Sequence, residues 1–268
     1  MVCAPSLAED ASVVLLICVS SALAFLASYA SAGAGWADSA FDRFVICAAL
    51  TALLCIVLLG LTRIVSRPQQ LVSGSPRCTY LSSSAHQAVI FPCCLVVELW
   101  AFAASGMTAR DWLHSSWAGA SAGRLAGHAT LFAYWLADLI TTPNPPIIVA
   151  HHLVCLGVLS VSIAELVGPS SAVCFCGAVT FEAGNLCLSL SRLYPSRQAI
   201  HFLSVTCMTA SNLLAAGLAL WFGLAFDGGG ALARGAVVIV ALGMAAARQH
   251  EELQRFAEQR LRHDGHSD

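Results

Sequence analysis

The stretch Pro146-Ile-Ile-Val-Ala-His-His-Leu-Val-Cys-Leu-Gly-Val-Leu-Ser-Val-Ser-Ile-Ala-Glu-Leu-Val167 decides the fold. It is apolar over a length that crosses a bilayer, since about 20 helical residues span the hydrocarbon. Near its start stand two adjacent histidines, His151 and His152; Asp138 ends the preceding apolar run, and Glu182 lies within the following one. An ionisable group at membrane depth costs about 3 kcal/mol on insertion scales, so such groups turn inward and read as functional.

Composition points the same way. The chain has 268 residues, 58% hydrophobic and 10% charged, with a mean hydropathy of +0.76. A soluble domain is about 25% charged, and no water-soluble core hides this much apolar surface. The class is a polytopic helical membrane protein. The net charge of −2 says nothing about partners, and all 13 cations are arginine. No nucleic-acid partner is expected.

Most of the twelve cysteines lie inside apolar runs, where cysteine behaves as a small hydrophobe. Neither Cys93-Cys94 nor Cys174-x-Cys176 has zinc-ligand spacing, and no helix carries an HxxxH or HExxH pair. No metal and no cofactor is expected.

At roughly 20 apolar residues per crossing, eight spans are predicted, near 11–31, 43–62, 85–106, 125–142, 146–167, 171–191, 202–225 and 231–247. The first follows Glu9 and Asp10 rather than a basic stretch, and is read as an uncleaved span and not as a signal peptide. The breaks carry turn signals: Arg67-Pro68, Pro143-Asn144-Pro145-Pro146, Gly168-Pro169, Pro195 and Asp227-Gly228-Gly229-Gly230. With a cytoplasmic N-terminus, nine arginines fall on the cytoplasmic side and four opposite, as the positive-inside rule requires. Both termini are then cytoplasmic. Residues 248–268 read as a charged, solvated tail with a weakly amphipathic helix.

Residues three, four and seven apart share a helix face. By that spacing Glu182, Asn185 and Ser189 align in one span, Gln87, Cys94 and Glu98 in another, and Tyr134 and Asp138 in a third. Polar stripes facing lipid are costly, so these faces should meet around a polar-lined centre. The short turn after Thr141 makes the flanking spans antiparallel neighbours, which brings Asp138 and the histidine pair to one end. Adjacent helical residues point about 100° apart, so one histidine should face Asp138 and the other should not. His151, His152 and Asp138 are the candidate catalytic residues, because a carboxylate fixes a histidine's tautomer and stabilises its imidazolium. Glu182, Asn185, Tyr134 and Glu98 are the candidate substrate-binding residues. The competing account is structural: interhelical hydrogen bonds worth about 0.6 kcal/mol each.

The segments Phe132-Ala-Tyr-Trp-Leu-Ala-Asp138, Ile148-Val-Ala-His151-His152-Leu-Val and Phe181-Glu182-Ala-Gly-Asn185-Leu-Cys-Leu-Ser-Leu-Ser-Arg192 resemble the TLC-domain family, as does the opening Tyr80-Leu-Ser-Ser-Ser-Ala-His86. That family includes ceramide synthases and translocon-associated TRAM proteins. The resemblance covers about residues 79–247 and divides the chain into two N-terminal spans with a cytoplasmic linker (1–78), a six-span TLC domain (79–247) and the tail (248–268). It implies an all-α fold of about eight spans, the last six forming a barrel around a lipid-accessible cavity. In ceramide synthases the paired histidines belong to the acyl-transfer site, a role that His151 and His152 inherit by motif match. The chain lacks the aspartate-rich stretch that synthases carry downstream, having Glu182-Ala-Gly-Asn185 there. It is therefore more similar to the shorter TLC-domain proteins of membrane lipid homeostasis. The expected partners are membrane lipids and a long-chain acyl donor, and the expected location is the endoplasmic reticulum, with the plasma membrane second. The alternatives are a ceramide-synthase-like lipid acyltransferase, and a lipid or cargo transporter using Glu98, Asp138 and Glu182 as a relay.

Overall fold

A computed structural model describes residues 40–65, 71–72, 75–142, 144, 146–195, 197–226 and 230–264, with isolated positions between 15 and 30. The first predicted span, at 11–31, lies almost wholly outside the described residues. The described residues form helices α1 (Ala40–Val65), α2 (Arg77–Ser105), α3 (Ala109–Leu113), α4 (Ala122–Thr141), α5 (Pro146–Ile163), α6 (Ser171–Leu193), α7 (Gln198–Ala225) and α8 (Ala231–Asp264). Before α2, Leu71–Val72 pairs antiparallel with Ser75–Pro76.

Four of these helices are long and apolar enough to cross a membrane among the described residues: Arg77–Ser105, Ser171–Leu193, Gln198–Ala225 and Ala231–Glu258. Apart from the two-residue pairing before α2, the regular structure of the described residues is helical, and the chain is an integral membrane protein. Of the eight predicted spans, four coincide with these helices. In α1 and α5 only the shorter stretches Phe44–Leu53 and Ile148–Ile163 qualify as apolar. Helix α4 carries Arg124, His128 and Asp138, and is buried along most of its length against α1, α2, α5 and α6. Its neighbours shield those polar groups from lipid, so α4 has no need of a lipophilic surface.

Local chemistry sets the helix boundaries. Ser121 caps α4 by accepting from Arg124 N, and Gly106, at φ 67, ends α2 in the left-handed region. Helix α2 widens into a π turn over His86–Ile90, where Phe91 N–H reaches back five residues to His86 O. The cause is Pro92, which lacks an N–H and whose ring clashes with the carbonyl four residues earlier. Helix α5 stops at Ile163 rather than at the predicted 167. There the chain turns through Glu165 at φ 53, and the Glu165 carboxylate accepts from Trp117 N at 2.9 Å.

The core lies around α4. Phe44 of α1 meets Trp117 and Phe132 edge-on, and Leu125, Leu131 and Phe175 are fully enclosed. Helices α6 and α7 approach closely at Gly184, where an added Cβ would stand 3.1 Å from Ser211 Cβ. Small residues permit such backbone approach where lipid supplies no hydrophobic drive.

The expected charged tail is helical as far as residue 264 and is not wholly solvated. Helix α8 continues unbroken to Asp264, Glu252 is buried, and Arg248 and Gln249 bond back into the bundle. Arg248, Gln249 and Glu252 face α6 and α7, while Glu251, Gln254 and Glu258 on the same stretch remain exposed.

Candidate functional site

The site begins at the α4–α5 turn. Thr142 Oγ1 donates to Asp138 Oδ1 at 2.7 Å, and Asn144 Nδ2 donates to Asp138 Oδ2 at 2.9 Å. The carboxylate thereby ties down the turn that follows its own helix. His152, on the first turns of α5, brings Nδ1 to 3.4 Å from Asp138 Oδ2. The ring is not aligned for a hydrogen bond, so the contact is electrostatic. His151 points elsewhere: its Nε2 lies 3.7 Å from Cys155 Sγ, and its ring centroid is 5.5 Å from that of His152. One histidine faces the acid and the other does not, as helical geometry requires.

From the other side, Gln87 Nε2 donates to Glu182 Oε2 at 2.8 Å, and Asn185 Nδ2 donates to the same oxygen at 3.1 Å. Asn185 Oδ1 in turn accepts from Arg248 Nη2 at 3.0 Å, and Phe181 O accepts from it at 2.8 Å. Helices α2, α6 and α8 are therefore joined through one chain, Gln87–Glu182–Asn185–Arg248. The guanidinium lies 4.7 Å from the Phe181 ring centroid. Tyr134 lies against His86 with ring centroids 4.5 Å apart and planes tilted by 33°, and His86 Nδ1 donates to Ser82 O.

These groups border an open cavity of about 330 Å³, called the polar cavity for Tyr134, Asp138, His151, His152, Glu182 and Asn185 among its lining residues. Six of the seven candidate residues are thus brought together. Glu98 is not. It sits in a closed cluster where Arg124 Nε donates to Oε1 at 2.9 Å, Trp112 Nε1 donates to Oε1 at 2.8 Å and Ser121 Oγ donates to Oε2 at 2.5 Å. Arg124 also donates to Ser171 Oγ at 2.7 Å. Arg124 opens α4 and Asp138 closes it, which separates the two clusters by about 20 Å of helix. Glu98 lines neither cavity and lies apart from the other six candidates, bonded to Arg124, Trp112 and Ser121. Spacing could not show this, because a shared helix face says nothing about which neighbour meets each turn.

A second, apolar cavity of about 130 Å³ lies beside the first. Its walls include Leu159, Gly177, Leu218 and Phe222, with the enclosed His128 and Trp135. The two cavities share His151, Glu182 and Met244. One face of α8 serves both: Val237, Val240, Ala241 and Met244 line the apolar cavity, then Arg248, Glu251, Glu252 and Arg255 continue along the polar one. No group of three His, Cys, Asp or Glu side chains among the described residues is placed to hold a metal ion.

Sequence reading passed over Gln87 as a site residue, and Arg248 because the last span was ended at 247. The signal for Arg248 was its one-turn spacing from Met244, which carries the lining face onward. Compared with known proteins, the chain matches no family model, no curated protein and no solved structure.

Proposed function

We propose that this integral membrane protein is a lipid-handling protein of TLC type acting in membrane lipid homeostasis. The observation that carries this reading is the junction of two unlike cavities. A polar cavity and an apolar one meet at His151, Glu182 and Met244. A lipid has the same division, a hydrated head joined to hydrocarbon, and each part gains only in the matching environment. The head would sit among Asp138, His152, Glu182 and Asn185, and the first carbons of the acyl chain against Gly177, Leu218 and Phe222.

Acyl transfer from a long-chain donor is the second reading, favoured by the place of the histidines. His152 has a carboxylate beside it, and His151 stands where the carbonyl between head and chain would lie. On that reading an amine or alcohol attacks the donor's acyl carbonyl, His151 takes its proton and passes it to the carrier group that departs as the acyl–carrier bond breaks, and Asp138 keeps His152 oriented. Glu98, bonded to Arg124 about 20 Å from Asp138 along α4, lends no support to the relay of the transporter reading. The arginine distribution underlies our assignment of cytoplasmic termini, and we take the endoplasmic reticulum as the home membrane.

The test compares His151→Ala and His152→Ala with the parent chain at equal protein level, by mass spectrometry of total lipid extracts. Loss of one lipid product with either variant establishes catalysis. Unchanged lipids with both overturn the acyltransferase reading, and absence of any lipid co-purifying with the parent chain overturns lipid handling itself.

A further inference from the structure

The mouth of the polar cavity holds a pair of arginines whose geometry the lipid-handling reading does not use. Arg192, near the end of α6, donates through Nη1 to Tyr80 Oη at 2.9 Å and lies 5.4 Å from that ring's centroid. Arg255 of α8 donates through Nη1 to Glu252 Oε2 at 2.9 Å, and Glu252 is itself held by Ser204 Oγ, which donates to Oε1 at 2.5 Å. Each guanidinium is thus anchored at one end by a partner from the bundle. The other ends converge. Arg192 Nη2, at 3.1 Å, and Arg255 Nη2, at 2.5 Å, both donate to a single atom, Glu251 Oε1.

Two anchored guanidinium groups aimed at one point form a site for an anionic oxygen. The group now at that point is weakly held by comparison. The Glu251 side chain is 48% exposed, against 13% for Arg192 and 23% for Arg255. Its carboxylate makes no other hydrogen bond among the described residues, and rotation about its side-chain torsions would carry it into solvent. Deeper along the same cavity wall Arg248 has no ion-pair partner among the described residues, and its buried Nε and Nη1 have no acceptor. The acids that also face the cavity are engaged: Asp138 with Thr142 and Asn144, Glu182 with Gln87 and Asn185, and Glu252 with Ser204 and Arg255.

We propose that Arg192 and Arg255 bind the phosphate group of the ligand at the mouth of the polar cavity, and that Glu251 is a displaceable internal stand-in for that phosphate. The inference rests on the cavity being the head-group end of the lipid site. Phosphate fits because its oxygens accept from both Nη2 donors at once, and Arg248, seven residues before Arg255 on the same helix, adds positive charge to the same cavity. The phosphate can belong to a phospholipid head or to a soluble phosphate-bearing carrier.

The experiment uses the full chain purified in an uncharged detergent and two probes, a short-chain phosphatidic acid and inorganic pyrophosphate, with binding measured directly by calorimetry. Arg192→Gln and Arg255→Gln should each weaken binding about tenfold, the loss of about one charge-assisted contact. Glu251→Gln should strengthen it several-fold, because a neutral amide competes less well for two cations. That gain distinguishes a stand-in from an ordinary strut, whose removal would leave affinity unchanged or lower. The half-exposed position also makes Glu251→Gln the variant that keeps the fold. Binding of phosphatidic acid with this pattern of variants supports a lipid phosphate. Binding of pyrophosphate alone with the same pattern keeps the phosphate site but removes the lipid head from it, and so counts against the proposed function. Binding of neither probe, or an affinity that Glu251→Gln does not raise, overturns the proposal even where lipid co-purifies with the chain.

Discussion

Asp138 Oδ2 stands 3.4 Å from His152 Nδ1 and 2.9 Å from Asn144 Nδ2, so one carboxylate serves both a histidine and the turn that delivers it. The better-formed bonds are those to Thr142 and Asn144. The turn therefore has first claim on the acid, and His152 is positioned through the turn as much as by direct contact.

Asp138→Asn should lower stability by about 1–3 kcal/mol, since an amide cannot accept from Thr142 and Asn144 on separate oxygens and carries no charge to face His152. Thermal unfolding in detergent measures this. Thr142→Val should shift the midpoint in the same direction by less, about 1 kcal/mol. An Asp138→Asn chain as stable as the parent but altered in lipid profile would instead assign the acid a role through His152.

The Glu98–Arg124 pair should behave as structure. It is buried, with side chains 1% and 3% exposed. Removing one partner leaves an uncompensated charge and costs about 3–5 kcal/mol. Glu98→Ala or Arg124→Ala alone should prevent accumulation in the membrane, whereas the pair replaced together by apolar residues should accumulate better than either. Immunoblotting of membrane fractions reads the outcome. A well-expressed Glu98→Ala chain would sink this assignment.

Gly184→Ala tests the α6–α7 contact. The added methyl would meet Ser211 Oγ, with Met208 Sδ at 3.0 Å and Ser211 Cβ at 3.1 Å, so the helices must separate. A loss of about 1–3 kcal/mol is expected from overpacking. Adding Ser211→Ala should recover only part of it, because the Cβ contact remains. Full recovery of the unfolding midpoint would place the conflict at the hydroxyl alone.

Gly177→Leu tests the apolar cavity with little risk to the fold. Gly177 lines that cavity, and an added Cβ there meets nothing within 4 Å. Replacing a helical glycine also favours the helix by up to about 1 kcal/mol. The variant should match or exceed the parent in thermal stability while co-purifying with less lipid, as quantified by mass spectrometry of the purified protein. Equal lipid content would show that acyl chains do not enter this cavity.

Helix α5 illustrates what was legible in the sequence and what was not. Its apolar run, the inward turn of one histidine and its antiparallel pairing with α4 all follow from composition, helical period and a short proline-rich turn. Its end at Ile163 does not, because that depends on Glu165 finding Trp117 N, 48 residues earlier in the chain. Glu98 makes the same point more sharply. The period that turns Gln87 and Glu98 inward is local, but their partners lie on different helices at opposite ends of the bundle. Gln87 meets Glu182, and Glu98 meets Arg124.

By itself, then, the sequence determined an all-helical membrane protein, the inward polar faces and the gathering of Asp138, His151, His152, Glu182, Asn185 and Tyr134 into a site. Those features depend on solvent transfer energies and on periodicities within single helices, which neighbouring residues carry. Only the tertiary structure decided that Glu98 pairs with Arg124 away from the other candidates, that the helical stretch after Ala247 forms part of the cavity wall, and that polar and apolar cavities share His151. Each of these depends on which helix faces which. That choice is made by packing between residues far apart in the chain, at Gly184 against Ser211 and at Arg248 against Asn185, and no local pattern encodes it.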